Sequence, residues 1–146
     1  MKREYTFDVE KVTGDCIQWI KDWFEKNGPG CNAVIGISGG KDSTIVAKLC
    51  VDALGADRVI GVMMPNGVQK DISDSIRVCK LLGIKNYTIN IENSVNAILK
   101  EMNESGIEIT EQTRTNLPAR IRMSTLYAVS QSNNGRVSNN CNRSEN

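Results

Sequence analysis

The chain predicts an α/β fold in one domain, residues 1–146: a three-layer, doubly wound parallel sheet with helices on both faces. Three observations predict it. Short apolar runs alternate with amphipathic stretches, the pattern that builds parallel strands joined by right-handed helical crossovers. The two strongest runs, Ala33-Val34-Ile35-Gly36-Ile37 and Arg58-Val59-Ile60-Gly61-Val62-Met63-Met64, are apolar almost throughout, as strands covered on both sides are. The 146 residues, 40% of them apolar, suffice for about one core.

The elements follow in order. Asp8 is the expected N-cap of a helix to about Lys26, with Val9, Val12, Cys16, Trp19, Ile20, Trp23 and Phe24 recurring at three- and four-residue steps. Trp19 and Trp23 lie one turn apart and are expected to pack on the sheet. Asn27-Gly28-Pro29-Gly30 stops this helix before the first strand. A second helix reads from Ser43 to Leu54 and ends at Gly55. After the second strand, Asp71 to Leu82 carries Ile72, Ile76, Cys79 and Leu82 on one face. Tyr87-Thr88-Ile89-Asn90-Ile91 is a weaker third strand, and Ser94 to Met102 a helix with Val95, Ile98, Leu99 and Met102 inward. Asn103 to Thr113 reads as a mobile connection. Pro118 suits the first turn of a helix to about Gln131, with Ile121, Leu126 and Val129 inward, and Arg136-Val137-Ser138 is a short fourth strand.

Composition narrows the chemistry. The 18 basic and 17 acidic residues are interspersed, which argues against a general nucleic-acid surface and leaves room for a local phosphate site. Histidine is absent, so no Ser-His-Asp or Cys-His catalytic group and no histidine-rich zinc site can form within the chain. The five cysteines include no Cys-x-x-Cys pair. Cys16, Cys50 and Cys79 fall on apolar periodicities and read as reduced packing residues of a cytoplasmic protein. The first residues lack the apolar core of a signal peptide, and no apolar run approaches bilayer length, so no membrane is expected.

The most informative segment is Ser38-Gly39-Gly40-Lys41-Asp42-Ser43, set between the first strand and the second helix. A glycine pair there leaves backbone N–H groups open at a helix N-terminus, where the dipole favours an anion. The missing side chains let a phosphate approach the backbone, while two hydroxyls and Lys41 add donors. Asp42 makes sense in such a place as the ligand of a magnesium ion between it and the phosphates. The segment is neither a Walker loop nor a dinucleotide fingerprint, because its glycine spacing fits neither. In parallel sheets, ligands bind beyond the carboxyl ends of the strands at the switch in strand order, and this cradle sits at such an end.

Two further clusters stay open when read alone. Met64-Pro65-Asn66-Gly67-Val68-Gln69-Lys70-Asp71 is either a plain loop with a helix start or a nucleotide wall, with the Met63–Met64 backbone facing an adenine. In Asn116-Leu117-Pro118-Ala119-Arg120-Ile121-Arg122-Met123 the two arginines are two apart on a helix, so both cannot face one ligand equally. They read either as solvated surface or as ligand contacts.

Together with Cys141-Asn142-Arg143-Ser144-Glu145, these motifs resemble the ammonia-dependent NAD synthetases. This is a family of N-type ATP pyrophosphatases with a Rossmann-like sheet. The match runs in order from the Trp19 helix to Glu145. The resemblance implies a ligase that amidates deamido-NAD with ammonia through an adenylylated intermediate, giving NAD, AMP and pyrophosphate. It implies that Gly36, Ile37, Ser38, Gly39, Gly40, Lys41, Asp42 and Ser43 hold the ATP phosphates and that Gln69 contacts the adenosine part. Arg120 would hold deamido-NAD near its nicotinate end. Asp42 and Glu145 would bind Mg2+, and a homodimer is expected. Asn140 stands where the family usually has a threonine that contacts ATP. Family members continue for roughly another hundred residues beyond the position of Asn146. The alternatives are therefore a truncated nucleotide-binding or dimerisation module without turnover, and another adenylylating ATP pyrophosphatase. A thiolating relative would need a cysteine pair, for which only Cys79 and Cys141 are candidates.

Overall fold

In the computed structural model, residues 8–68 and 72–138 are described. They form α1 (Val9–Asn27), β1 (Asn32–Gly36), α2 (Lys41–Leu54), a 3₁₀ turn (Ala56–Arg58), β2 (Val59–Met63), α3 (Ile72–Leu82), β3 (Lys85–Thr88), α4 (Glu92–Glu104), α5 (Glu111–Ser132) and β4 (Gly135–Val137). The four strands are parallel in the order β3-β2-β1-β4. The chain winds outward from β1 through β2 to β3, then returns through α4 and α5 to place β4 on the other side of β1. The switch in strand order therefore falls at β1.

Helices cover both faces of the sheet. On one side Ala33, Ile35 and Ile37 of the first-strand segment and Val59 and Met63 of β2 meet Phe24, Ala47, Cys50 and Cys79 from α1, α2 and α3. On the other side Val34, Ile60 and Val62 meet Leu126 of α5. The alternation of neighbours along one strand explains the unbroken apolar run: each side chain points into one of two cores. Arg58 fastens the start of β2 to the loop before β1, its guanidinium donating to the Cys31 carbonyl at 3.2 and 2.8 Å.

Several expectations are corrected by the structure. In α1, Asp8 caps as expected, accepting from the Lys11 N–H at 3.1 Å. Only the second half of that helix reaches the core, however. Phe24 is buried and Ile20 and Trp23 pack against it, whereas Val9, Val12, Cys16 and Trp19 are exposed, Trp19 by 65%. The reason is that α1 lies against α2, so the apolar stripe outruns the surface available to it. Trp19 instead lines a cavity of about 400 Å³ with Cys16, Trp23, Leu49 and Val137.

The third strand begins two residues before its expected start. Its residues Lys85–Thr88 are mostly exposed, because an edge strand with one neighbour needs no apolar run. The apolar Ile89 and Ile91 follow it, and their N–H groups donate to the Met63 and Pro65 carbonyls, each at 2.8 Å. The last helix also starts earlier than expected. Thr110 caps it by accepting from the Thr113 N–H at 3.2 Å, so Pro118 lies buried inside α5 rather than in its first turn. The expected connection Asn103–Thr113 shortens to residues 105–110, since α4 continues to Glu104. Ile98 of α4, expected inward, is 42% exposed. No described helix is long and apolar enough to cross a membrane.

Candidate nucleotide site

The segment Ser38–Ser43 turns from the end of β1 into α2 over the carboxyl edge of the sheet. Gly39 has φ +85°, a conformation that side chains with a Cβ adopt only with strain. Gly40 is the N-cap of α2 and makes no side-chain cap bond; the N-terminus of such a 14-residue helix is where backbone N–H groups lack intrahelical carbonyl partners and where anions bind. The turn holds its own shape. The Ser38 N–H donates to Ser43 Oγ at 3.3 Å, the Gly40 N–H donates to Ser38 Oγ at 3.3 Å, and the two serine hydroxyls lie 3.3 Å apart. Ser43 Oγ and Thr44 Oγ1 both donate to the Gly40 carbonyl, at 3.2 and 3.0 Å.

The residues expected to hold phosphates run from the end of β1 into the first turn of α2. Gly36 and Ile37 end the first-strand segment, where the Ile37 N–H donates to the Val62 carbonyl at 2.8 Å. Ser38, Gly39, Gly40 and Lys41 form the exposed or half-exposed rim, Ser43 is buried beneath it, and Asp42 is half-buried in the first helical turn. Asp42 thus places a carboxylate, a hard oxygen ligand of the kind magnesium prefers, in the first turn of α2. No group of three histidine, cysteine or acidic side chains able to hold a metal occurs among the described residues. Gln69, Lys70, Asp71, Asn140, Cys141, Asn142, Arg143, Ser144 and Glu145 lie outside the described residues. β4 nevertheless runs beside β1, with Val137 opposite Val34 and the Ser138 N–H donating to the Val34 carbonyl at 3.0 Å.

A cavity of about 590 Å³ opens beside the cradle, lined by Gly36, Ser38, Met64, Asn66, Arg122 and Leu126 among others. Its three walls are the β1–α2 turn, the loop after β2, and α5. The α5 wall consists of Ala119, Arg122, Met123 and Leu126, spaced as one helical face. That spacing was readable in the sequence; which face of α5 meets the cradle was not. The β2 loop is held from a distance. Gly67, with φ +83°, donates its N–H to Asn90 Oδ1 at 3.1 Å, and Asn90 Nδ2 donates back to the Gly67 carbonyl at 3.3 Å. Asn90 has no motif around it and was missed.

The two arginines of α5 point to different places. Arg122 is half-buried on the cradle cavity, with Nε donating to the Met64 carbonyl at 2.9 Å. Arg120 is exposed and lines a separate shallow cavity of about 320 Å³ with Thr113, Asn116 and Leu117, the helical face turned elsewhere. Cys141 lies outside the described residues, and the four described cysteines are unpaired. Cys79 is fully buried, and burial pushes its thiol up, so it is held protonated and inert. Cys50, on the buried face of α2, is pushed up by burial too, against a smaller opposing effect of the Ser138 hydroxyl 4.0 Å away.

Comparison with known proteins agrees with this architecture. The NH3-dependent NAD(+) synthetase of Thermococcus sibiricus is 36% identical over 140 residues, covering 96% of this chain and 54% of that protein. The solved NH3-dependent NAD synthetase of Campylobacter jejuni superposes with a TM-score of 0.85 at 33% identity, over 95% of this chain and 59% of that one. The NMN synthetase of Francisella tularensis superposes with a TM-score of 0.83 at 30% identity, over 95% and 57%. The chain spans about half the length of the curated relatives it matches. With the cradle at the sheet's switch point and the NAD synthase profile matching residues 12–146, the chain belongs to the NAD synthase family.

Proposed function

We propose that this chain carries the ATP half-site of an ammonia-dependent NAD synthetase, acting in the ATP-dependent amidation of deamido-NAD. The observation that carries the reading is the N-terminus of α2, which follows Gly39 and is capped by Gly40 without a side-chain bond, with Asp42 in its first turn at the switch point of the sheet. Such a terminus binds a departing pyrophosphate through main-chain amides that are already oriented.

The chemistry then runs in two displacements. A nicotinate carboxylate oxygen attacks the α-phosphorus of ATP, the bond to the bridging oxygen breaks, and pyrophosphate leaves into the cradle. Ammonia attacks the acyl carbon, loses a proton, and AMP leaves with the oxygen of the broken acyl bond. Positioning and charge stabilisation dominate such phosphoryl chemistry, so a chain without histidine suffices. Asp42 and, by family resemblance, Glu145 would hold magnesium, which when bound supplies positive charge against the phosphate oxygens. Ser38 to Ser43 would orient the phosphates, and Gln69 and the loop after β2 the adenosine. Asn140 would replace the family's threonine at ATP. Arg120 and Asn116, on the exposed face of α5, would meet the dinucleotide where a second copy completes the site, in a cytoplasmic homodimer.

The test is direct. The chain is incubated with ATP, magnesium, ammonium and deamido-NAD, and pyrophosphate and NAD are measured together. Both products in equal amounts support the reading, and product from nicotinate mononucleotide instead would move the substrate to the mononucleotide. ATP binding with neither product overturns turnover by this chain. Asp42→Ala should lower turnover about a hundredfold or more, and Gln69→Ala far less; equal rates for wild type and Asp42→Ala would remove Asp42 from the site.

A further inference from the structure

We infer that Arg122 is a positioning residue that clamps the loop after β2 to α5 and thereby builds the base-binding wall of the nucleotide cavity. The inference deepens the ATP reading above and rests on it for the identity of the ligand, though not for the clamp itself. Three observations lead to it. Arg122 Nε reaches across 58 positions of sequence to the Met64 carbonyl at 2.9 Å. Arg122 and Met64 both line the cavity that also contains Gly36 and Ser38. The loop's other supports are on its far side, where Asn90 bonds both the N–H and the carbonyl of Gly67 and the Ile91 N–H donates to the Pro65 carbonyl at 2.8 Å.

The loop is therefore fastened to the β3–α4 connection on one side and to α5 by Arg122 on the other. A charged donor on a carbonyl is among the stronger hydrogen bonds, and Arg122 is half-buried, so water competes for it less than at an exposed site. The fork shape of guanidinium matters. With Nε engaged on Met64, the terminal nitrogens remain for the cavity, and among the described residues they have no hydrogen-bond partner. Lysine keeps the charge but has no planar fork, so its single nitrogen on a flexible stem neither fixes the Met64 carbonyl nor serves the cavity at that geometry. The cradle needs none of this, because its hydrogen bonds close within residues 38–44. Arg122 should accordingly govern the nucleoside end of a ligand and leave the diphosphate end alone.

The experiment compares the full chain with Arg122→Gln, Arg122→Lys and, as a control on the other face of α5, Arg120→Gln. Amide hydrogen exchange of residues 64–68 is followed without ligand, and calorimetry measures ATP and inorganic pyrophosphate, each with magnesium. Expected are exchange at residues 66–68 and an ATP dissociation constant each raised about tenfold in both Arg122 variants, with pyrophosphate affinity unchanged. Arg120→Gln should leave loop exchange as in wild type. Unchanged loop exchange in both Arg122 variants overturns the clamp. Equal weakening of ATP and pyrophosphate also overturns it, in favour of a phosphate contact or a general loss of structure. Should wild type bind neither ligand, the ATP reading fails while loop exchange still decides the clamp. If Arg122→Gln does not fold, Arg122→Lys carries both measurements.

Discussion

Two loops at the same end of the sheet are built by opposite means. The β1–α2 turn is closed by hydrogen bonds among Ser38, Gly40, Ser43 and Thr44, all within a few residues of one another. The loop after β2 takes its shape from Asn90, Ile91 and Arg122, which lie from about two to nearly six tens of residues further along the chain. The difference teaches that the shape of the β1–α2 turn can be encoded locally, while the wall beside it depends on completion of the fold. The first is a property of a hexapeptide in context. The second is a property of three elements packed together.

Replacing Gly39 by valine is expected to have the largest effect on the local loop. At φ +85° a β-branched residue forces the turn to rearrange, and ATP–magnesium affinity should fall roughly a hundredfold in calorimetry while the far loop keeps its exchange rates. A parallel loss of protection in residues 66–68 would show that the loops are coupled, and the contrast would break. Asn90→Ala should act next, on the other loop. It removes the acceptor of the Gly67 and Glu92 N–H groups and the donor to the Gly67 carbonyl, costing about 1–2 kcal/mol in urea unfolding and exposing the Gly67 amide to exchange. The amides of Ser38 and Gly40 should exchange as before.

The smallest effect concerns the helices behind each loop, where Cys50 lies on α2 and Cys79 on α3. Burial raises both thiols above their unfolded values, so the unfolded chain loses these protons first as pH rises. Their contribution to stability is complete below the ordinary thiol range of about 8.5 and is lost as pH climbs through the raised folded values. Urea midpoints measured across that window should decline with pH, and Cys50→Ala and Cys79→Ala should each flatten the slope. An unchanged slope in both variants would assign the decline to other groups.

The same contrast explains what could be read from residues alone. β1 and β2 were legible because strands covered on both sides leave an apolar run, and the turn from β1 into α2 was legible because its glycines and hydroxyls sit next to one another. β3 was misplaced because Lys85–Thr88 has one strand neighbour and needs no apolar pattern, while the isoleucines beyond it carry the signal. The start of α5 was misplaced because Thr110 caps the helix, so Pro118 lies inside it despite the backbone hydrogen bond that its missing N–H forgoes. The stripe on α1 was real, yet half of it has no surface to cover among the described residues. The roles of Asn90 and Arg122 were hidden for a further reason: no local pattern marks a side chain whose partner lies across a crossover.

Pro118 is buried in α5, Ala119, Arg122, Met123 and Leu126 line the inner cavity, and Thr113, Asn116 and Arg120 line the outer one. One rigid rod thus serves two compartments. A rotation of that rod by a few degrees would change the bore of the inner chamber and the outline of the outer ledge together, so neither could be retuned by itself without the other registering the adjustment.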